Sequence, residues 1–499
     1  MSDLFISREQ AEGDLLTAAA FIAERIKSSD GHAEAMNAIV PQYLAAGNVD
    51  LAAELANAVD DPFSRDKLLI LVAEKCAVLD DDEYALQLAD AIEDHGMQAQ
   101  CFERIALVKA NDGDKTRAVE IAQRMEHPDY VFAGIAVNQA AIGKDPEATA
   151  TIEAIDFPSA RVLAWQTIAS ARIEKGATEN AIDALDKASR SARQIEHDEE
   201  RIRALCDVGN LYIEAHGSEK AIAAFDEAGK FTEVLDNIHR DFLFVRCALG
   251  FLHAGSLDLA DRTLDLVTDK TQMASALLGF ARDQWKKGEK DEAVETLEEG
   301  YEIVRSQREI ETRDRRSRNA LMTSIAAQFA GFGKTDRAVE IALENLDPTE
   351  TTSALTQIAQ ILTIQKEDDL VRQTLGRITD DGERAFALIQ VADTRSNIGQ
   401  LEEGAALLGE AVQLVGTVAQ KVSRADVLVA IATRFAEGGN AEKARDAALS
   451  ALRVIIEIRD ESAKATSLAD LGRLYSGSDW TLNEAERAIV GELVQSADQ

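Results

Sequence analysis

Residues that punctuate or staple a chain are scarce in this sequence. Its 499 residues include only 6 prolines and 29 glycines, too few for a collagen-like or low-complexity polymer. Aromatic residues make up 5%, too little for a β-sandwich or barrel, whose strands draw on aromatic and β-branched side chains. The four cysteines, Cys76, Cys101, Cys206 and Cys247, form no C-x-x-C pair, so neither a zinc site nor a redox motif is indicated. They fall within helical apolar patterns and read as small buried residues in a reducing compartment. Basic residues are outnumbered, 53 Lys and Arg against 89 Asp and Glu, for a formal charge of −36. That balance disfavours nucleic acid and anionic membrane surfaces as partners. No apolar run approaches the ~18–20 residues that span a bilayer, and no basic stretch followed by an apolar run opens the sequence. The expectation is a soluble, cytoplasmic protein without membrane insertion. With 46% hydrophobic and 28% charged residues, the chain can bury a core.

What is present is repetition. Gly47, Gly113, Gly143, Gly176, Gly255, Gly288, Gly333, Gly399 and Gly439 each follow an apolar helical pattern. Seven positions before each stands a small or slim residue, as Ala136 before Gly143 and Ala326 before Gly333; five after stands another, as Ala118 and Ala338. A large apolar residue always lies four positions before the first small one, among them Phe102, Trp165, Phe244 and Met322. The frame persists without the glycine at Asp80, His216 and Lys366, and Leu468 with Gly472 opens a last unit. This gives thirteen units, each read as helix–turn–helix, with the turn glycine supplying a positive φ and the paired small residues letting two helices approach closely. Five units, starting near Arg161, Arg201, Thr271, Arg384 and Arg424, are longer than the others. Pro62, Pro128, Pro158 and Pro348 lie fifteen residues after their turns and are expected to stop the second helix of each unit. An Arg or Lys recurs eight residues before the first small residue, at Arg65, Arg161, Arg201, Arg240, Arg318, Arg384, Arg424 and Lys464, and is read as an ion pair or carbonyl contact between neighbouring units.

The segment Leu205-x-x-Val208-Gly209-x-x-Tyr212 followed by Ala221-x-x-x-Phe225-x-x-Ala228 resembles the tetratricopeptide repeat family, as do Trp165-x-x-Ile168-Ala169 and Leu468-x-x-Leu471-Gly472-x-x-Tyr475. The resemblance covers roughly residues 33–490, flanked by an N-terminal capping helix at 1–32 and a tail at 491–499. Most units carry Ala where the family prefers Gly, and most lack the tyrosine. The resemblance implies an all-α fold, a right-handed α-solenoid of about thirteen antiparallel helix pairs whose first helices line a concave groove that holds partner proteins.

Chemistry-bearing motifs are absent. Gly331-Phe332-Gly333-Lys334-Thr335 ends like a phosphate-binding loop, but Gln328 stands where the motif needs a glycine and the segment aligns with the other inter-helix turns. The seven histidines show no metal-ligand spacing, and no nucleophile elbow or dinucleotide motif occurs. The reading is therefore non-enzymatic, without cofactor, metal or catalytic residue. Groove positions implied by the family geometry give Tyr130 and Val137 in one unit, Phe242, Val245, Leu249 and Leu252 in another, and Arg282 and Trp285 in a third. Residues 305–318 add a basic anomaly, six arginines against three acids. They read either as a solvated edge that neutralises neighbouring acidic units or, at Arg313, Arg315 and Arg316, as a docking point for an acidic segment such as one of a second copy of the chain. The expected function is a protein-interaction scaffold gripping a protein or peptide; the alternative is a regulatory receptor whose array changes curvature when a peptide or small ligand binds.

Overall fold

A computed structural model describes residues 5–307, 312–345 and 347–498, without the side chains of 312–315. Among the described residues there are 28 helices and no strand. In chain order they are α1 Arg8–Ala11, α2 Leu15–Ala23, α3 Ser29–Ala45, α4 Val49–Asn57, α5 Pro62–Val78, α6 Asp82–Asp90, α7 His95–Asn111, α8 Lys115–Ala122, α9 Asp129–Ala141, α10 Asp145–Glu153, α11 Pro158–Glu174, α12 Thr178–Ala192, α13 Asp198–Glu214, α14 Ser218–Glu233, α15 Arg240–His253, α16 Leu257–Leu264, α17 Lys270–Lys287, α18 Lys290–Arg305, α19 Thr312–Gly331, α20 Thr335–Leu343, α21 Pro348–Gln365, α22 Asp368–Leu375, α23 Asp381–Asn397, α24 Leu401–Val415, α25 Lys421–Glu437, α26 Ala441–Ile455, α27 Glu461–Gly477 and α28 Glu484–Ala497. From α3 onward odd and even helices alternate across left-handed turns, and eleven of the pairs from α3 with α4 to α25 with α26 pack together as the tetratricopeptide resemblance implies.

The turn frame is met throughout. All nine frame glycines have φ between 70° and 89°, and the exceptions Asp80, His216 and Lys366 take the same left-handed conformation. Asp479, after α27, makes the thirteenth such turn. Ala118 and Ala338 are fully buried, as the frame requires. The five longer units are those with long second helices: α12, α14, α18, α24 and α26 have 15 or 16 residues, while the second helices of the other pairs have eight or nine.

The prolines act differently from expectation. The second helices end at Asn57, Ala122, Glu153 and Leu343, ahead of Pro62, Pro128, Pro158 and Pro348. Pro62, Pro158 and Pro348 instead open α5, α11 and α21, and Pro128 is the N-cap of α9. A first helical residue needs no N–H donor and benefits from a fixed φ.

Three of the short units share a tie that the frame did not reveal. In three short units an aspartate seven residues before the small residue accepts from backbone amides of the next linker. Asp66 takes the N–H of Glu93 and Asp94, both at 3.1 Å; Asp129 takes those of Asp156 and Phe157; Asp241 takes those of Thr268 and Asp269. In the five long units the same position is apolar and buried: Val162, Ile202, Ala274, Ala385 and Ala425. After two long helices the recurrent arginine reaches a carbonyl instead, Arg201 to Ile195 at 2.9 Å and Arg318 to Val304 at 3.2 Å.

The helices form two compact units, Met1–Ile105 with Leu346–Gln499, and Ala106–Asn345. In the second unit the first helices α9, α11, α13, α15, α17 and α19 stack in chain order. The ring of Phe225 on α14 lies between Gly209 of α13 and Gly250 of α15, where any side chain in place of either glycine would meet it.

In the first unit the row runs α21, α23, α25, α27, α3, α5, so α3 follows α27 as though the sequence were continuous. The place of a second helix beside α27 is held by α2. A Cβ added at Gly472 would stand 3.1 Å from the backbone N of Leu16, so two helix backbones meet here, where at Gly209 the space is taken by the Phe225 ring. Every residue of α2 except Thr17 is buried, including Leu15, Leu16, Phe21 and Ile22. Each such side chain contributes roughly 1.5–3 kcal/mol of burial. Residues 1–32 are thus α1, α2 and the start of α3, and α2 lacks the polar outer face of a terminal cap. The expected tail is the end of α28, which lies against α2 and α26.

Candidate functional site

The residues expected to line a groove in the second unit are mostly occupied by neighbouring helices. Val245 is buried with Phe244, Val267 and Ala276, and Leu252 is buried in the main core of this unit. Leu249 is half-buried, its side chain lying over Gly279 of α17, where no Cβ intervenes. Of the two occupants open to the excess apolar surface of α15, a neighbouring unit or a partner, the neighbouring α17 lies over Val245 and Leu249. Phe242 is 36% exposed, with the Arg203 guanidinium 5.3 Å from its ring centre. Tyr130 meets Phe157 edge-on at 6.0 Å, and Val137 is half-buried against the core. Trp285 stacks on Phe332 at 4.1 Å with the rings 14° from parallel, so the decoy loop's Phe332 locks the ends of two first helices. Arg282 is exposed and donates to Gln328 at 2.6 Å. Arg316 is exposed, and the side chains of Arg313 and Arg315 lie outside the described residues.

The open concavities lie in the first unit, between successive first helices. A cleft of about 580 Å³ separates α25 from α27, walled by Asp426, Val429 and Thr433 on one side and Asp470, Arg473 and Leu474 on the other. A second, of about 410 Å³, lies between α23 and α25 and contains Asp393, Ser396 and Asn397. Arg434 borders both. Its Nε donates to Asp393 at 2.6 Å and its terminal nitrogen to Glu437 at 3.2 Å, which fixes the guanidinium as a partition.

The larger cleft keeps carboxylates short of compensation. Asp426 accepts from the Ser467 hydroxyl at 3.2 Å and pairs with no cation within 4 Å among the described residues. Enclosure by the cleft walls pushes its carboxyl pKa up; the Ser467 bond opposes this and the charge of Asp470 adds to it. Partial burial likewise pushes Asp470 up, against the pull of Arg473, which donates to it at 2.7 Å. A raised carboxyl pKa means the anion lacks favourable partners, so a cation or N–H donor brought to this wall gains more than it would in water. Nothing in the residue pattern marks this pair: Asp426 and Asp470 lie on different helices in a chain crowded with acids. Among the described residues no group of three or more His, Cys, Asp or Glu is placed to hold a metal ion, and no helix is long and apolar enough to cross a membrane.

No protein-family model matches the chain, and no curated protein matches it. Among solved structures it is similar to the apo form of RapI, at 11% identity over 77% of this chain and 98% of that one, with a TM-score of 0.31. It is also similar to the apo form of the quorum sensor NprR from B. thuringiensis, at 13% identity over 72% and 100%, TM-score 0.26. A third is Ton1535 from Thermococcus onnurineus NA1, at 16% identity over 70% and 97%, TM-score 0.25.

Proposed function

We propose that the chain is a protein-interaction scaffold that seats an extended or helical partner segment across the first helices α23, α25 and α27, with a lysine or arginine of the partner entering beside Asp426 and Asp470. The observation that carries this reading is the cleft between α25 and α27. It is lined by apolar Val429 and Leu474 for contact area and by two part-buried carboxylates, Asp426 held by a hydroxyl and Asp470 paired with the exposed Arg473. Interfaces of this kind combine an apolar floor with a few placed polar groups. The test is a peptide array probed with the full chain, comparing basic peptides with charge-neutral versions of the same length. Binding should fall roughly tenfold or more for the Asp426→Asn/Asp470→Asn variant and weaken with salt. Equal binding of basic and neutral peptides, or no loss in the variant, would remove the cleft from the reading.

A further inference from the structure

Twelve first helices, α3 through α25, run through a left-handed turn straight into a second helix, and eleven of these pairs pack together. The partner of α27 is α2, which no turn connects to it; hundreds of residues intervene. The place beside α27 is thus a helix-binding groove filled without a local tether. Its shape is specific. Gly472 removes a side chain so that the backbone of the incoming helix rests at Leu16, and the occupant LLTAAAFIA carries no charge. Polar ties across the seam are few. Thr17 and Tyr43 meet at 3.4 Å, Arg25 pairs with Asp498 at 3.2 Å, and Ser462 donates to Glu34 at 2.9 Å. By contrast, α1 is fastened to α2 from within: the Glu24 carboxylate accepts from the amides of Phe5 at 2.8 Å and Ile6 at 3.3 Å. The linker Glu24–Ser28, exposed at Lys27 and Ser28, joins the segment to α3.

We infer that the face of α27 is a helix-binding groove whose occupant, α2, is exchangeable. Residues 5–28 leave and return as one body while α25 and α26 remain folded, and the vacated groove takes a short uncharged, alanine-rich helix with the pattern of α2. This inference rests on the seam alone and does not depend on the peptide cleft proposed above.

The first test needs no variant. Hydrogen exchange of the full chain should show the amides of α1 and α2 exchanging together, roughly tenfold or more faster than those of α26. Exchange of α2 at the rate of α26 would show that it opens only with its neighbours and would overturn the inference. The second test is a cross-link. A Cβ at position 472 would stand 3.5 Å from the Leu15 Cβ, within the range a disulfide spans. In Leu15→Cys/Gly472→Cys, oxidation with a small disulfide should slow exchange of α2 to that of α26, and reduction should restore it. A fluorescent peptide of residues 13–28 should bind the wild-type chain slowly, at the opening rate, and should be excluded from the oxidised variant. Binding that ignores the cross-link, or none to the wild type on the timescale of α2 exchange, would show that the groove does not accept a second helix.

Discussion

In the second unit each first helix packs on the one before it in the sequence, from α9 to α19. In the first unit the same stacking passes from α27 to α3, and its contacts join residues as far apart as Arg25 and Asp498, 473 positions, or Glu34 and Ser462, 428. The repeated packing geometry is shared; the connectivity is not. A local array gathers contacts as each pair forms, whereas the seam must close a long loop before α2 gains anything. Stability in the second unit therefore rests on tethered apolar pairs such as Phe225 between two glycines. In the first it also rests on groups that fasten untethered helices, such as Glu486 of α28.

The difference can be broken by mutation, with the largest effect expected at the tethered core. Phe225→Ala should cost about 3–5 kcal/mol, read as lost exchange protection in α13, α14 and α15 together. Loss confined to α14 would mean the three helices are not one packed body. Next is Glu486, whose buried carboxylate takes two bonds from Arg445, at 3.1 and 2.8 Å, and the amide of Asn483. Burial pushes its pKa up, but Arg445, Asn483 and Tyr475 together hold it below the usual range. A depressed pKa contributes stability that is present above the unfolded-state value and lost as pH falls through the folded one. Glu486→Gln should cost about 3 kcal/mol at neutral pH, and less as the solution is acidified. A pH-independent cost would assign its effect to packing rather than charge. Leu249→Glu should destabilise by about 2 kcal/mol, because the new charge would face Gly279 and the cluster around it. An unchanged melting temperature would return this row to the list of free surfaces.

The smallest effect should have the opposite sign. Asp426 and Asp470 have raised pKa values, so the folded state binds more protons than the unfolded chain and their contribution weakens as pH rises through that raised range. Asp426→Asn/Asp470→Asn should raise the melting temperature slightly at neutral pH and flatten its local dependence on mild acidification. A lowered melting temperature at neutral pH would mean that the carboxylates support the fold.

The helix pairs were legible because each turn needs a left-handed residue and each crossing a small one, requirements that a sequence displays directly. Even Asp80, His216 and Lys366 were placed by the frame around them. The seat of α2 was not, because the frame searched for a turn, and this pair has none. The available sign was an apolar stretch with no polar face, the pattern of a helix buried on all sides rather than of a cap. The groove row failed for a related reason. Position within a unit shows that Val245 and Leu252 leave their own hairpin, but not that the next pair covers them. The prolines were located correctly and misassigned by one helix, since a residue that ends one segment also suits the first turn of the next. The aspartates at 66, 129 and 241 were visible in the frame, but their role depends on the length of the following helix.

Those aspartates also decide where the chain tolerates insertion and deletion. One extra residue within α16 would turn everything after it by about 100° and lift Thr268 and Asp269 away from the carboxylate of Asp241. That carboxylate is held in its charged form by these same amides and the Thr268 hydroxyl, despite the upward push of burial. Stranding it would cost more than the insertion itself. The three units that carry such an aspartate are thus gauged to the residue. Beyond α12, α14, α18, α24 and α26 no such gauge is read, so length variation among relatives of this array should accumulate after the long helices and be rare after α6, α10 and α16.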